Sequence, residues 1–181
     1  MAETLTPQEW HLHTGELRAA CPSLHAGDRV YLSGTIYTSR DAAHKRIVAL
    51  LDEGGALPFD LQDAVIYYAG ATPAPEGLPI GACGPTTSGR MDPFAPRLYD
   101  EGVCATIGKG GRSPAVAEAI RRDGGVYLCA VGGAGALAAK SVRRCEVIAF
   151  EELGCEAVRR LEVEAFPLLV AIDCHGGSLF G

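Results

Sequence analysis

The stretch 27-GDRVYLSGTIYTSRDAAHKRIVALLDEGG-55 decides the fold class. Its first half alternates apolar and polar side chains through Val30, Leu32 and Ile36, the period of a half-buried strand, and Gly34 marks a bend or a break into two strands. Its second half changes period. Ala43, Ile47, Leu50 and Leu51 recur at helical spacing, Ser39 is placed to cap a helix from about Arg40 to Glu53, Asp41 falls in its first turn, and Gly54-Gly55 stops it. A strand running straight into a helix is the unit of an α/β domain.

The same alternation continues outward. Segment 62-QDAVIYYAGA-71 reads as a buried strand, followed by a loop rich in proline and glycine, 72-TPAPEGLPIGACG-84. Strand 103-VCATIG-108 ends in 108-GKGGRS-113, and Ser113-Pro114 opens a helix closed by Gly124-Gly125. Strands 126-VYLCAV-131 and 145-CEVIAF-150 follow. The tail 159-RRLEVEAFPLLVAIDC-174 reads as two strands separated near Pro167. The expectation is one compact domain over residues 1–181, α/β, with a mixed sheet. Ligands of such sheets collect beyond the carboxyl ends of the strands, where the loops after Thr38, Gly84 and Ile107 would converge.

Composition narrows the class. The chain has 181 residues, 48% hydrophobic and 21% charged, as in an ordinary globular protein. Its net charge of −6 argues against a nucleic-acid partner, which calls for clustered Lys and Arg. Acids and a proline in MAETLTPQEW, and the lack of an apolar run of about 20 residues, lead to the expectation of a cytoplasmic protein with no membrane partner. Seven cysteines are scattered with no C-x-x-C pair, so neither a disulfide framework nor a metal site carried by this chain alone is expected.

Three polar segments could carry chemistry. In 84-GPTTSGRM-91, a helix starting at Pro85 would put Thr86 at its positive end and Arg90 on the same face, aiming a hydroxyl and a guanidinium at one anion. The same residues also suit a capped turn whose hydroxyls satisfy backbone amides. In 38-TSRDAAHKR-46, Arg40 and His44 are four apart on one helix face, beside Asp41; a solvated face with a surface ion pair reads equally. In 108-GKGGRS-113, glycine amides could form an anion nest with Lys109 and Arg112 adding charge, although the Walker spacing is missing. A rival, 133-GAGALA-138, fits G-x-G-x-x-A, with Glu151 or Glu152 as candidate ribose ligands of a dinucleotide.

Segments 32-LSGTIYTSRDAAHKR-46, 84-GPTTSGRMD-92, 107-IGKGGRS-113, V-E-x-F-P from residue 163 and I-D-x-H-G from residue 172 together resemble the β subunit of class I, iron-sulfur-dependent fumarate hydratases. The L-tartrate dehydratase β subunit and the C-terminal half of single-chain enzymes share this pattern. The resemblance implies a swivelling β/β/α fold. It implies a hydro-lyase interconverting fumarate and L-malate, or alternatively dehydrating L-tartrate, with a dicarboxylate held between two subunits. The α subunit would carry a 4Fe-4S cluster, whose open iron binds the substrate hydroxyl, in a hetero-oligomer of two α and two β chains. By motif position Thr86 would be the base, with Thr87 or His44 as alternatives; Arg40 and Arg90 would bind the dicarboxylate, Lys109 would add a contact, and His44 would support or share acid-base work. A non-catalytic nucleotide-binding module, using residues 133–138, is the reading from a different class.

Overall fold

Ten residues of the deciding stretch form strand β2 (Arg29–Thr38), in which Val30, Leu32, Gly34, Ile36 and Thr38 are buried and the residues between them are not. The structure is a computed structural model that describes residues 5–130 and 135–181. Around β2 lie β1 (Glu9–His13), α1 (Thr14–Ala20), α2 (Asp41–Glu53), β3 (Val65–Tyr67), α3 (Ala95–Asp100), β4 (Ala105–Gly108), α4 (Pro114–Asp123), β5 (Val126–Ala130), α5 (Gly135–Ser141), β6 (Val142–Ala149) and β7 (Val158–Ile172).

The sheet is mixed and runs β1-β2-β3-β4-β5-β7-β6, and β2 also pairs with β7, which closes five strands into a barrel. Strands β2 to β5 are parallel, and β7 is antiparallel to both β5 and β2. Alternate residues sort into layers. Val65, Tyr67, Ala105, Ile107, Val126 and Leu128 fill the barrel with Leu32, Ile36, Leu161, Phe166 and Leu168. Ile66 and Tyr68 face outward onto Ala43, Ile47, Met91 and Leu98, and Tyr127 onto Ala95, Tyr99, Val116 and Ile120. The central parallel strands β3, β4 and β5 are therefore buried on both faces, and each fully buried large apolar side chain contributes about 1.5 to 3 kcal/mol.

Several local expectations hold, and others are corrected. Gly54 and Gly124 end α2 and α4 in the left-handed conformation, and the Ser113 hydroxyl caps α4 by accepting from the Val116 amide. The tail is one 15-residue strand, not two. Pro167 sits within it opposite Tyr31, and the irregularity lies earlier, where Ala165 (φ 49°) forms a bulge between the Leu32–Phe166 and Gly34–Val163 pairs and its amide donates to the Ser33 hydroxyl. The V-E-x-F-P segment is thus a barrel bend. In the I-D-x-H-G segment the buried Asp173 carboxylate accepts the amides of Ala26, His175 and Gly177, a turn at the end of the barrel where β5 begins. Strand β1 and helix α1, which the alternation did not reveal, are tied in by buried Asp28, acceptor for the Gln8 and His25 amides and the Trp10 indole.

Of the dinucleotide pattern 133–138, residues 133 and 134 lie outside the described residues. Helix α5 then leads into β6, which pairs antiparallel with β7 and does not lie parallel beside β5 as a dinucleotide βαβ unit demands. Glu152 is held by Arg46. No helix among the described residues is long and apolar enough to cross a membrane.

Close packing between β4 and the 84–91 segment fixes the geometry of the barrel end. A Cβ on Gly108 would overlap the Ser88 hydroxyl and lie 3.0 Å from the Tyr68 ring. Gly108→Ala should therefore lower stability by about 1 to 3 kcal/mol in chemical denaturation; an unchanged midpoint would mean that this approach is not a constraint.

Candidate active site

Register places the carboxyl ends of the parallel strands in one row, Thr38 beside Tyr67, Tyr67 beside Ile107 and Ile107 beside Leu128. The loops that leave them are stitched together by backbone hydrogen bonds. The Ser39 amide donates to Tyr67 O (3.0 Å), the Tyr68 amide to Ile107 O (2.8 Å), the Thr86 amide to Tyr68 O (2.7 Å) and the Ser88 amide to Lys109 O (2.9 Å). Bridges Ala69–Pro85 and Thr87–Lys109 complete the ladder. Inside the barrel the Tyr67 hydroxyl donates to Cys83 O at 2.6 Å and fixes the start of the 84–92 segment over the barrel mouth. Segments 39–41, 85–90 and 108–113 therefore share one end of the barrel, as the sequence implied.

Pro85 does not start a helix. Residues 85–87 are spent in the ladder, and a short 3-10 turn, Ser88–Met91, begins only afterwards. Thr86 and Arg90 thus do not share a helix face, and Thr86 has no helix end behind it. Helix α2 also differs: its cap is Arg40, with no side-chain capping bond, and the Ser39 hydroxyl turns to His44 instead.

His44 is not on a solvated face. It is fully buried, edge-on to Tyr68 at 5.4 Å and tilted to Phe94 at 5.8 Å. Its Nδ1 lies 2.7 Å from Ser39 Oγ and 2.9 Å from Arg40 O. Since a carbonyl can only accept, the Arg40 contact selects the tautomer with hydrogen on Nδ1 and a bare Nε2. Burial pushes the ring's pKa down to about 4; the Arg40 carbonyl works against this, and the Arg112 charge adds to it. Near neutrality His44 is a neutral imidazole.

Arg40 extends from the cap toward Gly70, where a Cβ would sit 2.7 Å from its Nη1. Arg40 Nε and His44 Nε2 are the buried side-chain polar atoms without a partner among the described residues. Such atoms cost about 1 to 3 kcal/mol each when left unpaired, and both lie in this loop cluster. Arg90 reaches from the 3-10 turn to Asp41, Nη2 to Oδ2 at 2.7 Å. Lys109 and Thr87 are exposed and Thr86 is half-buried.

Arg112 takes a different part from the anion nest expected of it. Its side chain is 0% exposed and pairs with Asp92 at 2.7 Å. It also donates to the Thr106 hydroxyl (3.1 Å) and the Tyr68 hydroxyl (3.1 Å), and lies 5.2 Å and 4.7 Å from the centres of the Tyr68 and Tyr127 rings. Burial opposes its charge, but the Tyr68 and Tyr99 oxygens and Asp92 outweigh that and hold its pKa above the ordinary guanidinium value. Asp92 accepts in addition from the Ser113 amide at 2.7 Å. Asp92 and the two tyrosines were the site-building residues that sequence reasoning did not single out; the signal available was the D-P turn at 92.

Among the described residues no three His, Cys, Asp or Glu side chains could together hold a metal ion. Cys21 and Cys104 are neighbours, 3.7 Å apart, but buried in the core. The residues present do not fit a 4Fe-4S cluster. A groove of about 620 Å³ lies elsewhere, on the outer face of β2, β7 and β6, but there Arg160 binds Glu146 and Thr35 binds Glu162, so its polar groups are largely satisfied by one another.

Two measurements test this geometry. Asp92→Asn leaves the Arg112 charge buried without its counter-charge and should destabilise the chain by about 3 to 5 kcal/mol in urea unfolding; a loss below 1 kcal/mol would contradict the role of the pair. His44, with its folded pKa depressed, contributes stability that is complete above the unfolded value of about 6.5 and lost as pH falls toward 4. The wild type should lose roughly 3 kcal/mol over that window beyond a His44→Asn variant; parallel pH profiles would show that the ring is not held neutral.

Comparison with known proteins identifies the family. A family model described as fumarase C-terminus matches residues 2–181. The chain is 42% identical over 156 residues to fumarate hydratase 2 of Leishmania major, covering 85% of this chain and 28% of that protein. It is 40% identical over 167 residues to the anaerobic class I fumarate hydratase of Escherichia coli, covering 91% of this chain and 30% of that protein. It is 42% identical over 163 residues to a protein provisionally named L(+)-tartrate dehydratase subunit beta of Methanocaldococcus jannaschii, covering 87% of this chain and 84% of that one. The chain spans less than a third of the length of the two fumarate hydratases.

Proposed function

The chain belongs to the fumarase C-terminus family, and from that premise we propose that it is the β subunit of a class I hydro-lyase that hydrates fumarate to L-malate. In this reading the fold is the family's swivelling domain, all 181 residues form that one domain, and a cluster-bearing α subunit completes the site in an assembly of two α and two β chains. The 4Fe-4S cluster is assigned to that partner. The observation that carries the proposal is the convergence of Arg40, Thr86, Arg90 and Lys109 from three cross-linked loops, together with the orphaned Arg40 Nε. An arginine with an unmet buried donor suits an arriving carboxylate.

Dehydrating malate removes a proton from the carbon beside one carboxylate while hydroxide leaves the next carbon. Arg40 and Arg90 bind carboxylate, because a planar guanidinium matches it with two parallel bonds. The same cations, with Lys109, stabilise the enolate-like charge as it develops. Thr86 takes the proton. A threonine hydroxyl is a poor base in water, and with no helix end behind it the converging cations are what lower its pKa. His44 supports: its ring, neutral and fixed by Ser39 and Arg40, sets the direction of the helix cap that carries Arg40.

The L-tartrate substrate, one hydroxyl richer, is the second reading, favoured by the β-subunit name of a relative that this chain matches over most of its length. Co-expression with the proposed α subunit, anaerobic purification and turnover of fumarate, malate and L-tartrate test both. Thr86→Ala should cost about 10² to 10⁴ in kcat, and truncating Arg40 or Arg90 about 10- to 100-fold in kcat/KM. Retained turnover in Thr86→Ala would move the base to Thr87 or His44. Failure of every dicarboxylate would reject the hydro-lyase reading.

A further inference from the structure

Asp41 is a carboxylate beside a site whose proposed ligand is itself a dianion, and such a neighbour should repel substrate unless it serves another group. It is the first residue of α2, directly after Arg40. The two side chains part there: Arg40 runs under Gly70, and Asp41 Oδ2 accepts from Arg90 Nη2 at 2.7 Å. The acid is the more enclosed partner, 28% exposed against 54% for Arg90. The helix amides behind it favour its charge. A long side chain on the last turn of a four-residue 3-10 segment has few other restraints, and the contact uses only one of its nitrogens. The remaining donors are left to face outward together.

Resting on the dicarboxylate reading of this site, we propose that Asp41 is a positioning and specificity residue: it holds one edge of Arg90 so that the other edge meets a substrate carboxylate. Among the described residues Asp41 is the one carboxylate paired with the Arg90 guanidinium, while the Arg112–Asp92 pair is separately balanced.

Succinate, a non-reacting dicarboxylate, titrated into the assembled enzyme by calorimetry provides the test, with acetate as the single-charge comparator. Wild type, Asp41→Asn, Arg90→Met and the double variant form a cycle, and unfolding midpoints check that each is folded. Asp41→Asn should weaken succinate about 10-fold in the wild type and less than 2-fold when Arg90 is already Met. Asp41→Glu, which keeps the carboxylate, should recover most of the loss, and acetate should bind more weakly than succinate in every form that retains Arg90. Equal losses in both backgrounds, unchanged or tighter binding in Asp41→Asn, or no succinate binding by the wild type would overturn the role. Turnover by the assembled enzyme decides the underlying reading separately: an intact cycle without turnover keeps Asp41 and rejects the hydro-lyase, whereas additive losses reject Asp41 whatever the turnover.

Discussion

One buried cation, Arg112, holds the candidate site together. Its guanidinium lies near the Tyr68 and Tyr127 rings and binds Asp92, Thr106 and Tyr68, so a single group touches β4, β5, the residue that follows β3 and the 84–92 segment. The bonds run on in a consistent order. Thr106 donates to Tyr99, whose hydroxyl donates to Val126 O, and the Tyr127 hydroxyl donates to Gly110 O while lying 2.8 Å from Ser88 Oγ. An arginine without charge partners could not be kept there, since the desolvation cost is several kcal/mol. Fully satisfied, it fixes a geometry, and the loops bearing Thr86, Arg90 and Lys109 inherit their positions from it.

Two kinds of cation therefore meet at the barrel end. Arg112 is spent on structure, each of its three nitrogens donating to a protein oxygen. Arg40, Arg90 and Lys109 retain unused donors, and Arg40 keeps one that is buried. This contrast separates scaffold from site more cleanly than charge does. His44 belongs with the scaffold side: its Nδ1 is bonded and its ring is neutral, yet its bare Nε2 leaves the scaffold unfinished at the same place as Arg40.

Much of this was legible in the sequence because period and punctuation report local physics. The alternation of Val30, Leu32 and Ile36, the change to helical spacing at Ala43, and the stops at Gly54 and Gly124 are decided within a few residues of themselves. The convergence of the loops after Thr38, Gly84 and Ile107 followed from parallel strands alone. What escaped was set by distant partners. Pro85 and Ser39 carry helix-start signals, but the backbone at 85–87 pairs with Tyr68 and Lys109, and Ser39 finds His44 before it finds a helix amide. Pro167 looked like a strand boundary, yet the bend fell at Ala165, in the bulge opposite the register shift between Leu32 and Gly34. Arg112 read as a loop cation because nothing local announces Asp92, Tyr68 and Tyr127 around it.

The central claim is that this chain supplies the hydroxyl that moves the substrate proton. Hydrogen exchange between the methylene of L-malate and D2O, followed by NMR in the assembled enzyme, measures that step apart from product release. Exchange lost in Thr86→Ala, with succinate still bound as in the wild type, is the expected result. Exchange at the wild-type rate in that variant would show that the proton leaves through another group, and the roles given to the loops around Arg112 would have to be reassigned.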